Sequence, residues 1–148
     1  MRQHLAAPEK NKEAFTDDGW FRTGDICSLD PEGRITYHSR SKDMLKVGGE
    51  NVAAAEIEGL LSGHEAVQIA QVVSAPDDKY VEVAAAFIQL HEGAKSTEEE
   101  IISFCKGKMA TFKIPRHVRF VTEWPMSATK IQKIKLREII AEELNSDQ

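Results

Sequence analysis

The residues between Gly19 and Val52 combine side chains that could bind a ligand carrying both a sugar and a phosphate. Asp25 directly follows a glycine at which the backbone can turn, so we expect its carboxylate to accept hydrogen bonds from hydroxyl groups such as a ribose diol. Arg40, Lys42 and Lys46 are separated from one another by even numbers of positions, so an extended chain would point all three side chains to one side. A row of cations beside a carboxylate suits such a ligand.

A second group of candidate residues lies near the C-terminus, where residues 125–133 read PMSATKIQK. Together with the upstream segments GWFRTGD and SRSKDMLKVGGENV, this lysine-bearing segment resembles the adenylate-forming superfamily, which includes acyl-CoA synthetases, luciferases and the adenylation domains of peptide synthetases. Two separated motifs in the order that the family shows are a stronger signal than either motif alone. The resemblance covers nearly the whole chain.

The resemblance implies nucleotide-binding and hinge roles for three residues of the upstream motif. It assigns Asp25 to the ribose hydroxyls of AMP and Arg40 to the same nucleotide. It places Lys42 at the position where the family pivots its small domain between two orientations. A solvated loop lysine would account for Lys42 equally well without the resemblance.

The same resemblance implies contacts with CoA. Lys46 matches a basic residue that approaches the active site in the second, thioester-forming orientation. Gly48 and Gly49 match a turn past which the pantetheine arm runs close to the backbone, which requires the absence of side chains. The basic segment Lys113–Arg119 would lie near the CoA nucleotide.

Lys130 is the expected catalytic residue of the first half-reaction. The resemblance implies that its ammonium bridges the substrate carboxylate and the α-phosphate, neutralising charge as the acyl-adenylate forms. The chain departs from the family in having Thr129 where a glycine is common, and in a loop one residue shorter from Pro125. If this shorter loop displaced Lys130, Lys133 would be the next candidate.

Composition and charge exclude several other classes of protein. The net charge of −5 over 148 residues argues against nucleic-acid binding, which needs clustered Lys and Arg. The two cysteines and five histidines show no metal-ligand spacing, so we expect no metal site and a reduced, cytoplasmic protein. No apolar run approaches the ~20 residues that span a bilayer. The polar N-terminus lacks the apolar core of a signal peptide.

The order of apolar periodicity and turn residues predicts an α+β fold, with a small two-layer domain of about three strands and flanking helices, preceded by a β-hairpin. Residues 1–18 are expected to be loosely ordered and residues 39–50 to form a loop. Asn51 is the expected N-cap of a helix, and Thr97 with Glu100 forms a capping box. The predicted strands cover 24–29, 34–38, 67–74, 81–89 and 117–122, and the predicted helices cover 52–62, 97–109 and 134–144.

We therefore predict that residues 1–39 are the tail and terminal hairpin of a large N-terminal domain, and that residues 40–148 are a small C-terminal lid domain. The implied enzyme is an ATP-dependent, AMP-forming acid–CoA ligase acting on a fatty or aryl acid. Its partners would be the carboxylic acid, ATP or AMP, CoA and the missing domain, which would hold most of the Mg²⁺ contacts. The alternatives are an adenylation domain that loads a carrier-protein thiol and a non-catalytic interaction domain.

Overall fold

The computed structural model describes residues 8–146, which divide into two compact units. The N-terminal unit runs to Lys42 and the C-terminal unit begins at Asp43. The boundary expected from the sequence, between residues 39 and 40, lies three residues earlier.

The N-terminal unit contains a short helix and a hairpin. The helix α1 spans Pro8–Ala14, and the antiparallel strands β1 and β2 span Asp25–Leu29 and Ile35–Arg40. The hairpin is therefore confirmed. Residues 8–14 are helical, although loose order was predicted for residues 1–18, and residues 1–7 lie outside the described part of the chain.

Local hydrogen bonds explain why the hairpin turns where the sequence indicates. The Asp30 carboxylate accepts the Arg34 backbone N–H at 2.8 Å and the Arg34 Nε–H at 2.8 Å, which joins both ends of the turn. These bonds, the first above all, lower the pKa of Asp30. Gly33 supplies the left-handed residue with a φ of 84°.

The C-terminal unit is built on a five-stranded mixed sheet rather than the expected three strands. The central strand β6 pairs with β5 along one edge, with β3 through Val47 and Val81, and with β7 in parallel farther along. The strand β3 lies in the segment predicted to be a loop, because a four-residue strand ending in two glycines carries too little periodicity to be recognised. The strand bounds are Met44–Val47, Glu50–Ala53, Val67–Asp77, Val81–Leu90 and His117–Phe120 for β3 to β7.

The helices of this unit are α2 at Ala54–Leu61, α3 at Glu98–Cys105 and α4 at Lys133–Ser146. The predicted capping box of α3 is present, but the helix ends at Cys105 rather than at Met109. Its end follows from Lys106, whose backbone is extended. The N-cap prediction for α2 was wrong. Asn51 lies inside β4, where it pairs with Lys46, and α2 starts after Ala53 without a side-chain cap.

Helices cover both faces of the sheet. On β6, Ala84, Ala86 and Ile88 belong to one buried cluster with residues of α2 and α3. The alternate residues Val83, Ala85 and Phe87 belong to a second cluster with residues of α4. The α+β class is confirmed, and the sheet lies between two helical layers rather than under one.

Val81 has a φ of 69°, the only left-handed conformation at a non-glycine position among the described residues. A β-branched residue is strained in that region, and its side chain is 77% exposed and contributes little burial. We predict that Val81→Gly raises the free energy of unfolding of the 148-residue chain by about 1 kcal/mol, measured by urea denaturation. Val81→Ala, which keeps a Cβ, should gain less. A loss of stability on Val81→Gly would contradict the strain.

Candidate functional site

The predicted nucleotide-binding residues meet in the hairpin of the N-terminal unit. Asp25 and Arg40 are directly paired across β1 and β2, and the Arg40 Nε lies 3.5 Å from the Asp25 Oδ1. Their side chains are 30% and 48% exposed, so both remain accessible to a ligand. Thr23 Oγ1 accepts the Asp25 backbone N–H, and the Gly24 carbonyl accepts the Ser41 N–H at 2.7 Å. The turn before Asp25 is thereby fixed to the end of β2.

The expected row of three cations is not formed by one extended chain. Arg40 ends β2, but Ser41–Asp43 is a 3₁₀ helix, which breaks the alternation that would have aligned the side chains. Lys42 lies in this 3₁₀ helix as the last residue of the N-terminal unit, and its side chain is exposed. Lys46 belongs to β3 of the C-terminal unit. The even spacing was therefore a coincidence of sequence.

Gly48 and Gly49 form the two-residue turn between β3 and β4. Their φ angles of 56° and 91° are those of a type I′ turn, which needs a left-handed backbone at both positions. A Cβ on Gly48 would lie 3.1 Å from the Tyr80 Cδ1, whereas a Cβ on Gly49 would meet nothing within 4 Å. The turn geometry alone therefore accounts for both glycines, and its open side at Gly49 is free to face a ligand.

The turn between β5 and β6 supports the glycine turn. The Gly48 N–H donates to the Tyr80 carbonyl at 2.9 Å, and the Lys46 N–H donates to the Glu82 Oε2 at 3.0 Å. Asp77 Oδ1 accepts the backbone N–H of Tyr80 at 2.8 Å and of Lys79 at 2.9 Å. The bond from Tyr80 is the main reason why the pKa of Asp77 is lowered. Sequence reasoning missed Tyr80 and Glu82, because only the sheet pairing brings them to the glycines.

Lys130 lies in a tight loop, residues 125–132, which we call the lysine loop. The Ser127 N–H donates to the Lys130 carbonyl at 2.8 Å, and the Gln132 N–H donates to the Pro125 carbonyl at 2.7 Å. The Lys130 side chain is exposed, and no carboxylate in residues 8–146 lies within ion-pair distance of it. Its ammonium is available to an anionic ligand.

Lys133 is not available in the same way. Its Nζ lies 2.6 Å from the Glu58 Oε1, and both side chains are only 18% exposed. The same Glu58 oxygen accepts the Val72 N–H at 2.8 Å. Lys133 is therefore occupied by a mostly buried ion pair, which leaves Lys130 as the candidate in this segment.

The basic residues of the segment Lys113–Arg119 also form ion pairs with carboxylates. Each cation of Lys113–Arg119 contacts a carboxylate, which leaves less charge for a CoA phosphate than the sequence suggests. The pairs are Lys113 with Glu56 at 2.8 Å, Arg116 with Asp77 at 3.5 Å, and Arg119 with Glu143 at 2.8 Å.

Residues 8–146 contain no group of three or more His, Cys, Asp or Glu side chains that could hold a metal ion. No helix within them is long and apolar enough to cross a membrane.

Comparison with known proteins agrees with the motifs. The chain is 49% identical over 146 residues to the mitochondrial medium-chain acyl-CoA ligase ACSF2 of Bos taurus, a match that covers 98% of this chain and 24% of that protein. The chain thus spans about a quarter of the length of this curated relative.

Solved structures agree in fold. ATP-bound MatB from Rhodopseudomonas palustris matches with a TM-score of 0.82 and 34% identity, over 90% of this chain and 27% of MatB. The o-succinylbenzoate CoA synthetase MenE of Bacillus subtilis, solved with an acyl-adenylate intermediate, matches with a TM-score of 0.80 and 34% identity, over 88% of this chain and 26% of MenE.

The family model described as the AMP-binding enzyme C-terminal domain matches residues 56–130, about half of the chain. This range holds most of α2, the strands β5 to β7, α3 and the lysine loop as far as Lys130. Sequence motifs, fold and relatives agree, and the chain belongs to the family of AMP-binding enzyme C-terminal domains.

Proposed function

We propose that this chain is the C-terminal part of an ATP-dependent, AMP-forming acid–CoA ligase. The observation that carries the proposal is the 49% identity to an acyl-CoA ligase across 98% of the chain. The accessible Asp25–Arg40 pair and the exposed Lys130 supply the side chains that such a reaction needs from this part of the enzyme. These intact groups also favour a catalytic part over a non-catalytic interaction domain.

In the first half-reaction, a carboxylate oxygen of the acid attacks the α-phosphorus of ATP and pyrophosphate leaves. Lys130 would neutralise the charge that develops between the carboxylate and the α-phosphate. The Asp25 carboxylate would accept hydrogen bonds from the ribose hydroxyls, with Arg40 beside it balancing the charge. The described residues have no carboxylate cluster for Mg²⁺, so we assign that ion to the rest of the enzyme.

In the second half-reaction, the CoA sulfur attacks the acyl carbon and AMP leaves. Lys46 and the open side of the Gly48–Gly49 turn would face CoA in this step. Lys42 would be the pivot between the two orientations. Its position at the boundary between the two compact units supports that role, because the chain passes from one unit to the other at this residue.

The hairpin of the N-terminal unit would belong to the large domain. Leu29, Ile35 and Tyr37 are exposed large apolar side chains on these two strands, and residue pairing puts them on one face. A contiguous apolar face is expected to be covered by another part of the enzyme. We therefore assign the N-terminal unit, as far as the pivot at Lys42, to the large domain and the unit from Asp43 onward to the lid, three residues beyond the boundary expected from the sequence.

A fatty or aryl acid is the proposed substrate, and CoA rather than a carrier-protein thiol the proposed acceptor. The support is the activity of the similar proteins, which include a medium-chain acyl-CoA ligase and a CoA synthetase.

The proposed compartment is the cytoplasm, because both cysteines of the described residues are free thiols. Cell fractionation tests it, and the mitochondrial relative supplies the competing outcome.

The 148-residue chain alone should be inactive. Under the proposal it supplies only part of the nucleotide contacts, and the acyl pocket belongs to the large domain, so ATP–pyrophosphate exchange with a panel of fatty and aryl acids should stay at background. Binding of AMP alone should also be weak. Robust exchange by the isolated chain would contradict the proposal that it is one part of a larger site.

Lys130→Ala in the full-length enzyme should slow acyl-adenylate formation by about 10²–10³-fold, the usual loss when one charge-stabilising donor is removed from a site that excludes water. Thioester formation from supplied acyl-adenylate should be largely spared. Single-turnover rates of both half-reactions measure the difference. Equal losses in both would make Lys130 a structural residue, and no loss in either would show that the shortened loop displaces it.

Lys42→Pro in the full-length enzyme should slow thioester formation more than adenylation, because proline fixes φ and restricts the backbone rotation assigned to this residue. Lys42→Ala is the matched control, since it removes the charge and keeps the rotation. It should leave the ratio of the two half-reaction rates near that of the unchanged enzyme. If Lys42→Pro lowered both rates equally, a folding defect would explain the result and the hinge role would be lost.

A further inference from the structure

The Glu58–Lys133 ion pair ties the lysine loop to a distant part of the C-terminal unit. The two residues are 75 positions apart, on α2 and at the first position of α4. The Lys133 Nζ lies 2.6 Å from the Glu58 Oε1, and both side chains are only 18% exposed. Removing one partner of an ion pair this shielded from water leaves an uncompensated charge, whereas an exposed pair contributes little.

The pair acts at the place where the lysine loop joins the body of the unit. Only Ile131 and Gln132 separate Lys130 from Lys133. Both lie in backbone contacts that close the loop: Ile131 bridges to Met126, and the Gln132 N–H donates to the Pro125 carbonyl. A displacement of Lys133 would therefore be passed directly to Lys130.

Glu58 is itself held firmly. Its Oε1 accepts the Val72 backbone N–H at 2.8 Å in addition to the Lys133 ammonium, so one carboxylate oxygen joins α2, β5 and the start of α4. Farther along α4, Leu136 and Ile140 are buried in the second cluster. These two side chains anchor the body of the helix, and Glu58 fixes its first turn.

The pair also determines which lysine of the segment is free. Without Glu58, the Lys133 ammonium would be a second unpaired cation three residues from Lys130, and it would compete for the same phosphate charge. With Glu58 in place, Lys133 is neutralised and Lys130 is the cation that remains exposed.

From this geometry we infer that Glu58 is a positioning residue for Lys130 in acyl-adenylate formation, acting through Lys133. The inference rests on the proposed function, in which Lys130 acts on the α-phosphate. Glu58 would not touch the substrate. It would hold the loop so that the Lys130 ammonium reaches the reacting groups, where a misplacement of about 1 Å can cost about 10²-fold in rate.

The test is Glu58→Gln in the full-length enzyme. A glutamine keeps an oxygen that can accept the Val72 N–H and removes only the charge that binds Lys133. Single-turnover adenylation should fall at least 10-fold, and thioester formation from supplied acyl-adenylate in the same preparation should change less than 2-fold. That second rate also shows that the variant is folded.

The same helix offers a matched control. Glu56 pairs with Lys113 at 2.8 Å, so Glu56→Gln removes an ion pair from α2 without touching the lysine loop. Its adenylation rate should stay within 2-fold of the unchanged enzyme. Lys133→Met should lower the adenylation rate as much as Glu58→Gln does. Lys133→Arg, which retains a cation for Glu58, should keep most of the adenylation rate of the unchanged enzyme.

A double-mutant cycle with Lys130→Ala separates positioning from general stabilisation. If Glu58 acts through Lys130, Glu58→Gln should have no further effect on adenylation in the Lys130→Ala background. An undiminished further loss there, or equal losses in both half-reactions, would overturn the inference. If Lys130→Ala alone left adenylation unchanged, the proposed role of Lys130 would fail. If Lys130→Ala lowered the adenylation rate and Glu58→Gln left it unchanged, only the role of Glu58 would be rejected.

Discussion

The C-terminal unit depends on the burial of one strand on both of its faces. Strand β6 alternates Val83, Ala85 and Phe87 toward one cluster with Ala84, Ala86 and Ile88 toward the other, and all six are buried. Three successive alanines, Ala84 to Ala86, place only small side chains on both faces of the strand, which lets helices pack closely on each side. The β5, β3 and β7 strands all pair with β6, so the positions of both candidate loops follow from this one element.

Each candidate loop is fixed to that framework by a carboxylate from elsewhere in the chain. Glu82, on β6, accepts the Lys46 N–H beside the glycine turn, and Glu58, on α2, binds Lys133 beside the lysine loop. Glu82 accepts a backbone N–H and Glu58 pairs with a mostly buried ammonium, and no carboxylate of the described residues lies within ion-pair distance of the exposed Lys46 or Lys130 side chain. Among the described residues, the acidic groups thus determine which cations a ligand can reach.

The features that could be predicted from the sequence are those formed by residues close together in the chain. The hairpin turn at Asp30 and the capping box at Thr97 form within four residues, and both were predicted correctly. Asn51 has good capping chemistry, but pairing with β3 placed it in a strand, where that chemistry is not used. The Glu58–Lys133 pair joins residues 75 positions apart, and no local pattern indicates it. The motifs identified the family because they record chemistry rather than local structure.

Under the proposed function, one folded unit serves two reactions with different requirements. Adenylation needs a cation held beside the carboxylate and the α-phosphate, and Lys130 on its anchored loop provides this. Thioester formation needs a backbone surface without side chains, and the type I′ turn at Gly48–Gly49 provides this. The two features share no residue, and each has its own anchor in the C-terminal unit: Glu82 on β6 beside the glycine turn and Glu58 on α2 beside the lysine loop. A pivot at Lys42 could therefore exchange them as a body, and neither loop would have to refold between the half-reactions.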